Sequence, residues 1–228
     1  MSLQMQQHEF RKSADEPQSI AGADGCPDGW VIATRRGVSV VSAITASAQS
    51  VLGIDMPIGL PEAGPRSCDV EARKFLGPRR SSVFPTPPRV CLGARDHSEA
   101  VVLARKSTGV GISIQAFHLL PKIAQIDRAI SADDERRILE VHPECSFAVM
   151  NGGVPLSSKK SAEGVALRTS LLTARFGTLP PRPRGARIDD LLDAYAVLWS
   201  TERFVAGTAR VFGDGERDAR GLLMRIIA

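Results

Sequence analysis

None of the four cysteines of this 228-residue chain pairs with another in a CxxC motif, which excludes a zinc ribbon and a thioredoxin-type redox site. Cys26, Cys68, Cys91 and Cys145 are expected to be small buried hydrophobes in a reducing, cytoplasmic setting, because a chain of this length builds a core without disulfides. His142 and Cys145 stand three apart, and two ligands do not make a zinc site. Aromatic residues are only 5% of the chain, so no base-stacking platform is visible. No apolar stretch is long enough to span a bilayer. Residues 1–19 are polar and lack an apolar h-region, so they read as a disordered tail and not as a signal peptide. With no internal repeat or low-complexity tract, residues 20–228 are expected to form a single domain. Net charge is +4, a balance that tolerates a polyanionic partner without requiring one.

Hydrophobic patterning predicts strands over residues 20–24, 30–34 and 38–44, joined by the turns GCPDG and Arg35-Arg36-Gly37. Three short strands on tight turns form an antiparallel meander. Residues 51–56 (VLGIDM) are almost continuously apolar, as suits a strand buried on both faces and often a parallel one. Helices are expected over 66–76, 98–106, 113–130, 162–176 and about 190–204. Residues 138–149 read as a further strand, and the C-terminal GLLMRIIA as a last strand or short helix. The order predicts an α/β protein with a mixed five-stranded sheet flanked by helices, in a ribonuclease-H-like layout with the fourth strand beside the first.

Carboxylates recur where the chain runs through its core: Asp24, Asp55, Glu140 with Glu144, and Asp190 with Asp193. A buried unpaired carboxylate is costly, so such groups are paired, protonated or bound to a cation. Each also has a plainer reading. Asp24 starts an Asx-turn before Gly25. Asp55 caps nearby backbone N–H groups. Asp190 caps a helix, as does Asp189. Asp193 lies one turn further in, on the same helix face as Asp190 and followed by AYAVLW, where a cap does not explain it. On a strand, Glu140, His142 and Glu144 share one face, although Pro143 interrupts the ladder. Taken together, the acids form a hard-oxygen set suited to Mg²⁺ or Mn²⁺, and metals held by such acids activate water for phosphodiester cleavage. Basic loops add Arg79-Arg80-Ser81-Ser82, Lys159-Lys160 and the run Arg175, Arg182, Arg184 and Arg187. Each reads equally as a solvated face.

The segments GADGCPDGWVIA, IDMPIGLP, RSCDVEARKFLG, RRSSVFPTPPR, TGVGISIQAF, EVHPECSF, SKKSAEG and DDLLDAYAVLW resemble the family catalogued as domain of unknown function 429, regarded as predicted nucleases with a ribonuclease-H-like fold. A looser likeness is to the Holliday-junction resolvases, in which an Asp ends the first strand, an acid ends the fourth and a late helix carries D-x-x-D-A-x-A. The matching positions are Asp24, Asp55, and Asp190 with Asp193. The chain departs from that branch in carrying Asp at position 55, where the resolvases have Glu, and in its extra EVHPE element.

These readings lead to an expected metal-dependent nuclease. Asp24, Asp55 and Asp193 bind the metal, Asp190 or Glu140 completes the shell, and Arg80 or Lys160 steadies a phosphate. Nucleic acid is the expected partner, and a homodimer is the assembly that the resolvase branch suggests. A phosphotransferase or phosphohydrolase acting on a small nucleotide-like substrate, and a non-catalytic binding protein on the same fold, are the alternatives.

Overall fold

A computed structural model describes residues 19–45 and 51–228. The expected tail lies outside these residues except for Ser19, whose carbonyl accepts the Val51 N–H at 3.1 Å. The chain runs through β1 (Ile20–Cys26), β2 (Gly29–Thr34), β3 (Gly37–Val41), β4 (Val51–Ile54), α1 (Ser67–Leu76), α2 (His97–Thr108), α3 (Ile114–Ala129), β5 (Ile138–Glu140), α4 (Pro143–Met150), α5 (Ala162–Phe176), α6 (Ile188–Val205), β6 (Val211–Phe212) and β7 (Ile226–Ile227). The main sheet has the order β3-β2-β1-β4-β5. The meander β1-β2-β3 is antiparallel, whereas β4 pairs parallel to β1 and β5 parallel to β4. This is the ribonuclease-H-like α/β arrangement expected from the strand pattern. β6 and β7 pair in a separate two-stranded sheet. Among the described residues, no helix is long and apolar enough to cross a membrane.

One expected element is replaced. The strand predicted over 138–149 stops at Glu140, and Pro143 opens α4. Proline has no N–H to give to a ladder but suits the first position of a helix, where that donor is unpaired anyway. Glu140 and Glu144 therefore do not share a strand face. The α6 helix also starts earlier than expected, at Ile188, with Arg187 as its N-cap.

Alternation along the strands sorts the core into two layers. Ala21, Ala23, Leu52 and Ile54 pack with Leu120, Ile123 and Ile126 of α3. On the opposite face, Val31 and Ala33 pack with Leu191, Leu192, Ala194 and Leu198 of α6. Gly22 and Gly53 point to that second face, and their missing side chains let α6 lie directly on β1 and β4. A Cβ on Gly22 would stand 2.2 Å from Leu198 N and 2.4 Å from Ala194 O, and one on Gly53 would stand 2.0 Å from Thr201 Oγ1. Gly22→Ala is therefore expected to cost about 1–3 kcal/mol or more by overpacking. Gly93→Ala, where nothing lies within 4 Å, is expected to change stability by less than about 0.5 kcal/mol. Urea denaturation of the two variants checks this, and equal midpoints would contradict the close β1–α6 packing.

Candidate active site

The same close packing builds the site. Ala23 pairs with Ile54, and the Asp55 N–H donates to Ala23 O at 2.9 Å, so Asp24, inside β1, and Asp55, just past the end of β4, stand level where the parallel pairing ends. Both are two residues beyond the glycine that faces α6, so both lean to that side. On α6, Thr201, Val197 and Asp193 follow one another at intervals of four. Thr201 and Val197 sit over Gly53, and the stripe continues to Asp193 beside Asp55. Asp24, Asp55 and Asp193 line one cavity of about 500 Å³ between α3 and α6, outside the carboxyl ends of the strands, where sheets of this kind bind ligands.

These three carboxylates are electrostatically stressed. Burial, then the charges of Asp55 and Asp193, hold the Asp24 carboxyl well above the usual range, against the pull of Lys159. Burial also raises Asp55, opposed by His142, Lys159 and a hydrogen bond with Asp24. Asp193 is pushed up to about 6 by burial, with Asp55 and Glu144 adding to the shift and Lys159 opposing it. One counter-charge is Lys159, whose Nζ lies 2.7 Å from Asp193 Oδ2 and 3.9 Å from Asp189 Oδ2. Burial pulls the lysine down, but Asp193, Asp55 and Asp24 outweigh it and keep the ammonium charged. Lys159 and the His142 ring are the positive groups facing the three acids, and among the described residues Asp193 Oδ1 is buried with no hydrogen-bond partner.

Among the described residues, no three His, Cys, Asp or Glu side chains stand ready-made as a metal cage, and Lys159 pairs with Asp193 in the cluster. The donor chemistry nonetheless fits a hard divalent cation: the facing groups are carboxylate oxygens, one of them orphaned, and Mg²⁺ needs only one or two with water making up the rest. Asp24, Asp55 and Asp193 are the residues that would hold it.

The other expected site residues divide between the cavity and its surroundings. Glu140 lines the cavity, but its two oxygens accept Arg66 Nη1 and Nη2 at 2.7 Å each, and Oε2 also accepts the Ile58 N–H. Both oxygens are thus engaged in an ion pair with Arg66. Glu144 is likewise held by Arg168, at 2.8 Å to each oxygen. Asp190 reaches back to accept the Arg187 N–H at 2.7 Å, the capping role that its position allows, and it does not line the cavity. Arg80 is exposed and also off the cavity, whereas Lys160 lines it.

Two participants were not anticipated, and within one expected basic loop the residue facing the cavity is the neighbour of the one singled out. Arg66 and Asp69 form a buried pair beside Glu140. Their i, i+3 opposite charges were visible in RSCDVEARKFL, but that pattern occurs on any helix surface. Arg79, not Arg80, faces the cavity, a choice between neighbours in a proline-bounded turn that no periodicity makes.

The chain belongs to the family described as "Protein of unknown function (DUF429)", which matches residues 22–217. No curated protein and no solved structure matches it.

Proposed function

We propose that this member of the DUF429 family is a divalent-metal-dependent nuclease, a hydrolase that cleaves phosphodiester bonds in the cavity between α3 and α6. The observation that carries this reading is the convergence of Asp24, Asp55 and Asp193, three buried acids whose carboxyls are all raised. Holding like charges together in a dry site costs stability, and clusters of this kind mark functional sites. Asp24, Asp55 and Asp193 would bind Mg²⁺ or Mn²⁺. When bound, the ion supplies Lewis-acid polarisation of the phosphodiester and lowers the pKa of water. The protein's own part is positional. β1 and the end of β4 fix Asp24 and Asp55, and α6 brings Asp193 against them. Lys159, 2.7 Å from Asp193 Oδ2, would serve at the cavity wall as a cation for a phosphate oxygen. Lys160 extends that wall towards solvent.

Nucleic acid in the cytoplasm is the natural source of such a bond. A second reading has a specific observation behind it: a cavity of about 500 Å³ is of the size that encloses one small ligand. Hydrolysis or transfer on a single phosphorylated nucleotide-like molecule fits that volume as well as a polymer end does. A screen of labelled single- and double-stranded DNA and RNA, together with mononucleotides, each with Mg²⁺ or Mn²⁺, separates the two. The proposal expects metal-dependent cleavage of a polymer by the wild type, reduced by more than about a hundredfold in Asp55→Asn. That exceeds the 10–100-fold typical of losing an outer-shell partner alone. Turnover of mononucleotides only would select the second reading.

A further inference from the structure

We infer that Arg79 is the phosphate-recognising residue of the cavity, placed on a rigid wall formed by the RRSSVFPTP segment. The inference rests on the reading above in one respect: the anion it binds is taken to be the substrate's phosphate. Five other basic side chains line the cavity. Four of them are committed: Arg66 to Glu140 and Asp69, Lys159 to Asp193, Lys122 to Gly29 O at 2.7 Å and the face of Trp30, and His142 to Ser82 O at 3.2 Å. Lys160 is exposed at the mouth. Arg79 is half-buried and lines the cavity, yet its Nε is buried with no hydrogen-bond partner and no carboxylate pairs with it among the described residues. A desolvated guanidinium edge without a partner is costly unless an anion completes it.

The segment that carries Arg79 is held at several points. Residues Gly77–Ser82 form a 3₁₀ turn directly after α1. Arg73 Nη1 donates to Arg80 O at 3.1 Å and to Val83 O. The His142 ring bonds Ser82 O at 3.2 Å, tying the wall to the β5–α4 junction next to the acids. Asp69 accepts the Thr86 N–H at 3.0 Å. A cation on so constrained a support needs little reorganisation to bind, and the planar fork of arginine matches two phosphate oxygens. Arg80, the neighbouring residue, points to solvent and serves as the internal control.

The test is calorimetric titration of the metal-free full chain with inorganic phosphate, with thymidine monophosphate and with a short oligothymidylate. The proteins are the wild type, Arg79→Gln, Arg79→Lys and Arg80→Gln. Arg79→Gln is expected to weaken binding by about tenfold or more, the loss of a charge-assisted hydrogen bond. Arg79→Lys should recover part of the affinity, because it restores charge but not the fork, and Arg80→Gln should stay within about twofold of wild type. Binding of all three probes would assign Arg79 to a terminal phosphate; binding of the oligonucleotide alone would assign it to the phosphodiester backbone. The inference is overturned if wild type binds none of the probes, if Arg79→Gln binds as wild type does, or if Arg79→Gln and Arg80→Gln lose affinity equally. A parallel Mn²⁺ titration keeps the two proposals apart. Mn²⁺ binding with phosphate affinity indifferent to Arg79→Gln removes Arg79 and leaves the metal reading. Phosphate affinity lost in Arg79→Gln without any Mn²⁺ binding does the reverse.

Discussion

Arg66→Met is expected to destabilise the protein by about 3–5 kcal/mol, the range seen when one partner of a buried ion pair is removed. Arg66 is 1% exposed and sits between two carboxylates that are themselves buried. Its Nη2 lies 2.5 Å from Asp69 Oδ1 and 2.7 Å from Glu140 Oε1, and its Nη1 also donates to Ile58 O and Gly59 O. Burial alone would pull the guanidinium down, but Glu140 and Asp69 hold it well above its ordinary range and charged at every accessible pH. Methionine fills much of the volume but leaves two acids and two carbonyls without their donor, and those orphaned groups carry the cost. Replacing all three charged residues together, as Arg66→Met with Asp69→Leu and Glu140→Met, is expected to recover only part of the loss, because it removes the unpaired charges but leaves the N–H groups of Ile58 and Thr86 and the carbonyls of Ile58 and Gly59 without these partners. Urea midpoints of the single and triple variants check both statements. A loss below about 1 kcal/mol in Arg66→Met would show that water reaches the pair.

Asp193→Asn is expected to have opposite effects on stability and on activity. The Asp193 carboxyl stands at about 6 against an ordinary value of 3.8. The folded protein therefore holds this proton more tightly than the unfolded chain does. The stability it contributes is complete below about pH 4 and is lost as pH rises through about 6. The span corresponds to about 3 kcal/mol, to order of magnitude. Without metal, the wild type should thus weaken between about pH 4 and about pH 7, and the raised carboxyls of Asp24 and Asp55 add to the same trend. Asparagine carries no charge to bury, so the variant should lose that part of the slope and be the more stable protein near pH 7.5. Its metal-dependent cleavage should fall by more than about a hundredfold, since a divalent ion needs the ionised ligand. For the same reason wild-type activity at subsaturating metal should rise with pH as the raised carboxyls of Asp24, Asp55 and Asp193 ionise. Denaturation curves with chelator present, across this pH range, decide the point. Parallel wild-type and variant profiles would mean that Asp193 is not the stressed group.

Much of this architecture is legible in the residues. The meander follows from alternating short runs and the turns at Gly29 and Gly37, and the continuous apolar run before Asp55 marks a strand covered on both faces. Asp193 stands out because an acid inside an apolar helix has no local explanation. Asp190 and Glu140 show the limit. Both are acids near a core, as Asp193 is, but the backbone N–H of Arg187 satisfies one and the fork of Arg66 the other. Arg66 is separated from Glu140 by 74 positions, and no local pattern pairs them. The EVHPE element misleads for a different reason: spacing by two suggests a strand until Pro143 is read as the first residue of a helix. Lys159 and Lys160 are indistinguishable in SKKSAEG, and only packing sends Lys159 inward to Asp193.

If the proposed function holds, Asp24, Asp55 and Asp193 form one cation site. Calorimetric titration of Mn²⁺ into the wild type and Asp55→Asn tests it most directly. Saturable binding by the wild type is expected, accompanied by proton release as the raised carboxyls ionise, with binding weakened by more than about a hundredfold in Asp55→Asn. Absence of Mn²⁺ binding by the folded wild type at millimolar metal, or binding that Asp55→Asn leaves unchanged, would contradict it.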